Sequence, residues 1–269
     1  MFSINFAVLT LVAAGSSLPF AENECAKRVG TTIVPQSFDQ TLAPLPKAIL
    51  PKGEFETTSA YDARVAVVSG RLTSAVVMAR PVDAQTYPEP VFFDADLQLL
   101  KIRNTAFDWG TANWDLAFVL ADQKYPVGRG RYHAATVISR TDRPTGTYKA
   151  ANRFGTPMTV SKISRTTDSL WAHTGRDKDD HLFAGNPHSI IGSIALSADQ
   201  VKILKPRIRF ALVVVPKYPF LVTGKLLETV PTMDDSRLVT ERFRILIADV
   251  QCGLVLDGAN NILGAYPVK

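Results

Sequence analysis

Positively charged and aromatic side chains are concentrated in one stretch of the chain, from Lys124 to Arg165. The stretch has nine Lys or Arg residues and one acidic residue, Asp142, so its net charge is +8, whereas that of the whole protein is +5. Clustered cations bind polyanions by displacing condensed counterions, and aromatic rings among them can stack on unpaired bases. The residues that we predict to contact a polyanion are Lys124, Arg129, Arg131, Arg140, Arg143, Lys149 and Arg153, with Tyr125, Tyr132 and Tyr148 as stacking partners.

Sequence motifs of catalysis are absent. The chain has no G-x-S-x-G nucleophile elbow, no phosphate-binding P-loop, no H-E-x-x-H zinc motif and no paired C-x-x-C. A group of carboxylates and imidazoles includes Arg and Lys residues and fits no known metal-binding spacing. Its members are Asp177, Asp179, Asp180, His181 and His188. We therefore expect no catalytic residue, no metal and no cofactor, and predict that the protein is not an enzyme.

The uneven distribution of charge extends beyond the first stretch. Residues 22–121 have a net charge of −3, residues 122–225 of +10 and residues 226–269 of −2. A second basic region lies in the central part and consists of Lys202, Lys205, Arg207, Arg209, Lys217 and Lys225. These cations either keep a strand edge soluble or, if they share a face with the first stretch, enlarge it enough for single-stranded nucleic acid.

The N-terminal segment and the two cysteines each allow two interpretations. Residues 1–15 are apolar enough for the core of a signal peptide, but no Lys or Arg precedes them, and Asn5 and Thr10 interrupt them. The segment is otherwise a buried strand or helix of the fold. Cys25 and Cys252 form one disulfide if the protein is secreted, or remain two thiols if it is cytosolic.

Short β-type runs dominate the chain after a proline-rich arm, and Gly, Asp and Pro residues separate them. Runs at 63–69 and 74–79 have the spacing of a hairpin. Further runs lie at 97–102, 116–120, 134–139, 147–151, 158–163, 209–215 and 243–250. Ser197 with Gln200 three residues later predicts the start of a short helix, which Pro206 ends.

These patterns predict a mostly β protein, an antiparallel β-sandwich with one or two short helices. Residues 1–60 form an apolar segment and a proline-rich arm, residues 61–200 the sandwich core, and residues 201–269 a C-terminal β extension packed on that core. Asp122 follows the run at 116–120, where its carboxylate can cap backbone N–H groups, so we expect a structural role for it.

Residues 115–194 resemble the core of the 30K superfamily of plant-virus movement proteins. The family's L-x-D motif and following basic residue are similar to L-A-D at 120–122 and Lys124. Its glycine-led strand is similar to residues 146–148, its P-x-x-x-S strand to residues 157–161, and its G-x-P-x-S element to residues 185–189. The resemblance implies a jelly-roll-like sandwich, self-association and contact with host membranes or the cell wall.

Two functions from different classes follow. The first is a non-enzymatic viral movement protein that binds single-stranded nucleic acid or another polyanion and carries it through plasmodesmata from the host cytoplasm. The second is a secreted β-sandwich, with residues 1–21 cleaved and Cys25 bonded to Cys252, that binds an acidic polysaccharide or a host surface. Both functions use the same cations, so composition does not separate them.

Overall fold

The fold is that of a computed structural model, which describes residues 22–45, 52–71, 74–82, 88–107, 133–151, 154–173, 183, 186, 188–227, 231–232 and 235–268. Its strands are β1 (Val76–Arg80), β2 (Val91–Asp94), β3 (Leu99–Arg103), β4 (His133–Ala151), β5 (Pro157–His173), β6 (Ile190–Ala195), β7 (Arg209–Leu227), β8 (Arg237–Leu256) and β9 (Ile262–Pro267). Its α-helices are α1 (Glu22–Ala26), α2 (Phe38–Leu42), α3 (Thr58–Arg71) and α4 (Ala198–Leu204). Single 3₁₀ turns are formed by Asn104–Ala106 and Lys205–Arg207. None of the helices in these ranges is long and apolar enough to cross a membrane.

The larger sheet is organised around β8. Within the described ranges its strand order is β1-β7-β8-β5-β4, and β9 also pairs with β8. One edge of β8 pairs with β7, while the other edge is shared by β5 along Arg237–Ile247 and by β9 along Cys252–Leu256. The pairing of β5 with β8 is parallel and the other pairings are antiparallel. Strands from beyond residue 200 therefore lie at the centre of this sheet.

A smaller antiparallel sheet, β2-β3-β6, covers part of one face of the larger sheet. Inward-facing residues alternate along its strands, as period-2 geometry requires. Leu100 and Ile102 of β3 are fully buried in one cluster with Leu212 of β7 and Leu246 of β8. The two-layer, mostly β architecture predicted from the sequence is confirmed.

Phe107 is the aromatic centre of this core. Its ring centroid lies 5.2 Å from that of Phe183 and 5.7 Å from that of Phe210. The ring rests on Gly253 of β8, where an added Cβ would lie 2.8 Å from it. Because Gly253 has no side chain, the central strand leaves the space that the Phe107 ring occupies.

The other face of the larger sheet packs a second cluster around a disulfide between Cys25 and Cys252. The two Cα atoms are 6.0 Å apart, and both residues are buried. Val213 and Leu254 pack against the bridge in the same cluster. The disulfide attaches α1 to β8, so the start of the described chain is fastened to its central strand.

The sequence predicted the start of helix α4 correctly. Ser197 and Gln200 form a reciprocal capping box at its start, so the predicted helix is confirmed. The same box, made by Ser37 and Gln40, opens α2. In both cases the hydroxyl accepts the hydrogen bond of the third helical N–H, while the amide oxygen accepts that of the capping residue.

The predicted hairpin between residues 63–69 and 74–79 is wrong. Residues 63–69 belong to helix α3, and β1 pairs instead with β7. The β-branched residues of this segment suit either structure, and tertiary contacts decide between them: Val68 packs on the main core, and Tyr61 contacts Tyr218 of β7. Other predicted runs merge, because 134–139 and 147–151 belong to the single strand β4.

Arg244 of β8 joins the larger sheet to α2. Its guanidinium donates two hydrogen bonds to Asp168 of β5, with Nε 2.7 Å from Oδ1 and Nη2 2.9 Å from Oδ2. A third, from Nη1, goes to Asp39 of α2 at 2.7 Å. Ser139 of β4 donates to the same Asp168 carboxylate, and hydrogen bonding to both carboxylates raises the pKa of Arg244 although burial opposes the shift. Three strands therefore meet at one buried carboxylate, and the same guanidinium joins them to α2.

Arg244→Met should lower the free energy of unfolding by about 3 kcal/mol, because it leaves the buried Asp168 carboxylate without its charged partner. Asp39→Ala removes an exposed carboxylate from the same guanidinium and should cost at most about 1 kcal/mol. Urea unfolding followed by tryptophan fluorescence measures both. Equal losses for the two variants would contradict the structural role of the Asp168–Arg244 pair.

Candidate polyanion interface

The residues predicted to bind a polyanion divide into two groups in the structure. Four of them, Arg140, Arg143, Tyr148 and Lys149, lie on β4 and have exposed side chains. The others lie outside the described residues, as does the predicted cap Asp122. They are Lys124, Tyr125, Arg129, Arg131, Tyr132 and Arg153.

The register of β4 against β5 distributes the four described residues over both faces of the sheet. Arg143 is opposite Ser164, and Tyr148 is opposite Val160, on one face. Arg140 is opposite Thr167, and Lys149 opposite Thr159, on the other. The side chains agree, because Lys149 Nζ donates to Thr159 Oγ1 at 2.7 Å.

A bulge in β4 places Arg143 and Tyr148 on the same face. These residues are five positions apart and would point in opposite directions on a regular strand. The register shifts between Pro144 and Gly146, so that Thr145 is an extra residue. Gly146 has a φ of 137°, a backbone conformation that glycine adopts at little cost.

The face with Arg143 has cations on four neighbouring strands, and we name this set the basic strip. Lys225 of β7 lies directly opposite Arg242 of β8, which is level with Thr166 of β5. Arg143 and Lys162 extend the set onto β4 and β5. At about 4.8 Å between strands, the strip crosses about 15 Å of sheet. The basic strip consists of Arg143, Lys162, Lys225 and Arg242, all exposed.

The basic strip continues the face that forms the core. Arg242, Arg244, Leu246 and Ala248 alternate along β8, so they point to the same side of the sheet. Leu246 and Ala248 are buried in the main core, whereas Arg242 is exposed. The Arg244 cluster therefore marks the boundary between the part of this face that is buried and the part that carries exposed cations.

No described carboxylate lies within ion-pair distance of the basic strip. Asp168 shares its face but is bonded to Arg244. Asp142 lies on the opposite face, where Arg165 Nε is 2.7 Å from its Oδ1 and holds the pKa of Asp142 below its usual range. Glu241 also faces that side and accepts a hydrogen bond from Thr167. Asp39 of α2 is likewise bonded to Arg244. Among the described residues, the four cations of the strip therefore form no ion pair and give this face a positive potential.

Hydroxyl groups and one aromatic ring lie among these cations. The Lys162 ammonium is 5.1 Å from the centroid of the Tyr148 ring, a cation–π contact that fixes the edge of the strip. Tyr148 itself is 37% exposed and so offers area for a flat group. The hydroxyl residues of this face are Thr141, Ser164, Thr166, Thr223 and Thr240. Together these groups can hold acidic groups, donate hydrogen bonds to oxygens and stack on a ring.

The second basic region contributes one residue to the strip. Lys225 shares the face of Arg143, whereas Lys202 pairs with Asp199 and Lys205 with Glu89 elsewhere. Sequence reasoning did not include Arg242 in the candidate interface. The alternation of apolar residues with Arg242 and Arg244 along β8 is the signal that could have indicated it.

Metal ligation finds no support in the described residues, where no group of three or more His, Cys, Asp or Glu side chains is placed to hold an ion. His188 of the sequence cluster is exposed and donates its backbone N–H to Asn186. The other members of that cluster, Asp177, Asp179, Asp180 and His181, lie outside these residues.

Arg242→Gln should weaken binding to any flexible polyanion and reduce the slope of log affinity against log salt by about 0.7 for a single-stranded nucleic acid, because one phosphate contact is lost. Lys149→Gln is the matched control, since it removes an exposed cation from the opposite face and should leave affinity and slope unchanged. Fluorescence anisotropy with labelled oligonucleotide at several salt concentrations measures both. If the two variants lose equally, net charge rather than the basic strip determines binding.

Comparison with known proteins gives no further assignment. No protein-family model, no curated protein and no solved structure matches this chain. The resemblance to plant-virus movement proteins thus stays a prediction.

Proposed function

We propose that this protein is a non-enzymatic binder of an extended polyanion, which lies across the strands of the larger sheet. The observation that carries the proposal is the basic strip, in which four exposed cations lie on adjacent strands and form no ion pair with any described carboxylate. Lys225 and Arg242 are direct cross-strand neighbours, and Arg143 and Lys162 continue the path toward the edge strand. A ligand that follows this path releases counterions at each contact.

The first candidate ligand is single-stranded nucleic acid. Tyr148 supports it, because a base can stack on a half-exposed phenol ring while the neighbouring Lys162 holds a phosphate. The exposed side chains of the strip also suit a flexible strand, whose bases are not hidden in a duplex. In this proposal the protein is a viral movement protein that carries the strand from the host cytoplasm through plasmodesmata, with self-association and membrane or cell-wall contacts as the resemblance implies.

The second candidate is a secreted protein that binds an acidic polysaccharide or a host surface through the same strip. The buried disulfide between Cys25 and Cys252 favours it, because disulfides persist in oxidising compartments and are rare in the cytosol. The hydroxyl groups between the cations suit a sugar chain as well as a nucleic acid. In this case residues 1–21 are a signal peptide.

Tyr148→Leu distinguishes the two ligands. It should weaken binding of single-stranded polyuridylate about tenfold, within the range of a lost base–aromatic stack, without changing the salt slope. Tyr148→Phe retains the ring and should bind as the unaltered protein does. Titrations of both variants with polyuridylate and with heparin measure the effect. Failure of the unaltered protein to bind either polyanion at low salt would refute the proposed function, and equal weakening for both would refute the nucleic-acid candidate.

The state of the cysteines tests the second candidate. Protein isolated from its natural source should show no alkylated thiol in an intact-mass measurement without reduction, and its mature chain should begin near Glu22. Replacing both Cys25 and Cys252 with Ala should lower the free energy of unfolding by roughly 2–5 kcal/mol, because the bridge closes a loop of more than 200 residues. Two alkylated thiols in the isolated protein would exclude secretion.

A further inference from the structure

Two tyrosines that take no part in the basic strip meet head to head between α3 and β7. The hydroxyl oxygens of Tyr61 and Tyr218 are 2.5 Å apart and share a hydrogen bond. Tyr218 is 37% exposed, and Tyr61 is half-buried. This is the one hydroxyl–hydroxyl contact between tyrosines in the described part of the chain, and 157 positions separate the two residues.

Neighbouring side chains hold both rings in place. Tyr218 belongs to a four-residue excursion of β7 between Pro216 and Leu221, and its ring packs edge to face on the buried Phe220 at 6.2 Å. Tyr61 lies in the first turns of α3, where the guanidinium of Arg64 is 5.1 Å from its ring centroid. These contacts around each ring therefore hold the two phenol groups facing each other.

We propose that Tyr61 and Tyr218 form an oxidative cross-linking site, at which peroxide and a haem peroxidase join the two rings as dityrosine. Each phenol loses one electron and one proton, and the two phenoxyl radicals form a carbon–carbon bond between ring carbons that neighbour the C–O bonds. Each coupled carbon then releases its hydrogen as a proton, and each oxygen regains one. Hydrogen peroxide accepts the two electrons and two protons and leaves as two molecules of water.

The hydrogen-bonded geometry suits this product. In dityrosine both hydroxyls flank the new bond and remain within hydrogen-bond distance of each other, so the contact present before coupling is kept afterwards. The hydrogen bond shared with Tyr61 raises the pKa of Tyr218 to about 12, so the Tyr218 phenol is protonated at neutral pH and brings the proton that the coupling removes. The exposure of Tyr218 gives the oxidant access to the pair.

The cross-link would fasten α3 covalently to the larger sheet. In the described structure α3 is held there by few contacts, with Val68 on the core and Tyr61 on Tyr218. A covalent bond at this point would therefore add a fixed attachment between α3 and β7. An oxidising compartment that keeps Cys25 bonded to Cys252 would also supply conditions for this coupling.

Treatment of the full-length protein with hydrogen peroxide and horseradish peroxidase tests the proposal. We expect dityrosine fluorescence whose yield does not depend on protein concentration, and a proteolytic peptide pair joining Tyr61 to Tyr218 with a mass two hydrogens below the sum. Tyr218→Phe and Tyr61→Phe should each abolish this pair, whereas Tyr148→Phe should retain it. No cross-link, one only between molecules, or one that survives in Tyr218→Phe would overturn the proposal, whatever the outcome for polyanion binding.

Discussion

The structure depends on the pairing of β8 along both of its edges. A strand of 20 residues, Arg237–Leu256, must place its backbone N–H and C=O groups in hydrogen bonds on each side, and three different strands provide the partners. β5 and then β9 pair with the same edge of β8. That edge therefore remains hydrogen-bonded along its length although its partner strand changes. The same strand therefore contributes to the apolar core at one end and to the exposed cations at the other.

This continuity explains why the Arg244 cluster lies where it does. Apolar residues on one face of a sheet must be covered, while cations on the same face must reach water. Arg244 lies between the two environments, and its bidentate bond to Asp168 satisfies a carboxylate that would otherwise be buried without a charged partner. The Arg244–Asp168 ion pair thus lies at the edge of the apolar core. The next residue on that face, Arg242, is exposed to solvent.

Local signals in the sequence predicted part of this arrangement, and non-local pairing determined the rest. The capping box of Ser197 and Gln200 acts within one helical turn, so the sequence was enough to locate α4. The basic run identified Arg143 and Tyr148, but not that Arg242, about 100 positions away, lies on their face. Nor do the residues of α3 reveal its helical state, because Val68 gains its partners only from the folded core. Residue type indicated which side chains could contact a polyanion, whereas only the strand register shows which of them share a face.

The bulge at Thr145 has a consequence for how such a surface can change. Loss or gain of a single residue in β4 at this point would exchange the faces of every side chain between it and the end of the strand, Tyr148 and Lys149 among them. The net charge and the isoelectric point would not change, but Tyr148 and Lys149 would exchange faces of the sheet. Among related proteins, the proposed polyanion binding by this face could therefore be lost or regained through a single insertion or deletion. Such a change alters no charged or aromatic residue and is not counted as a substitution.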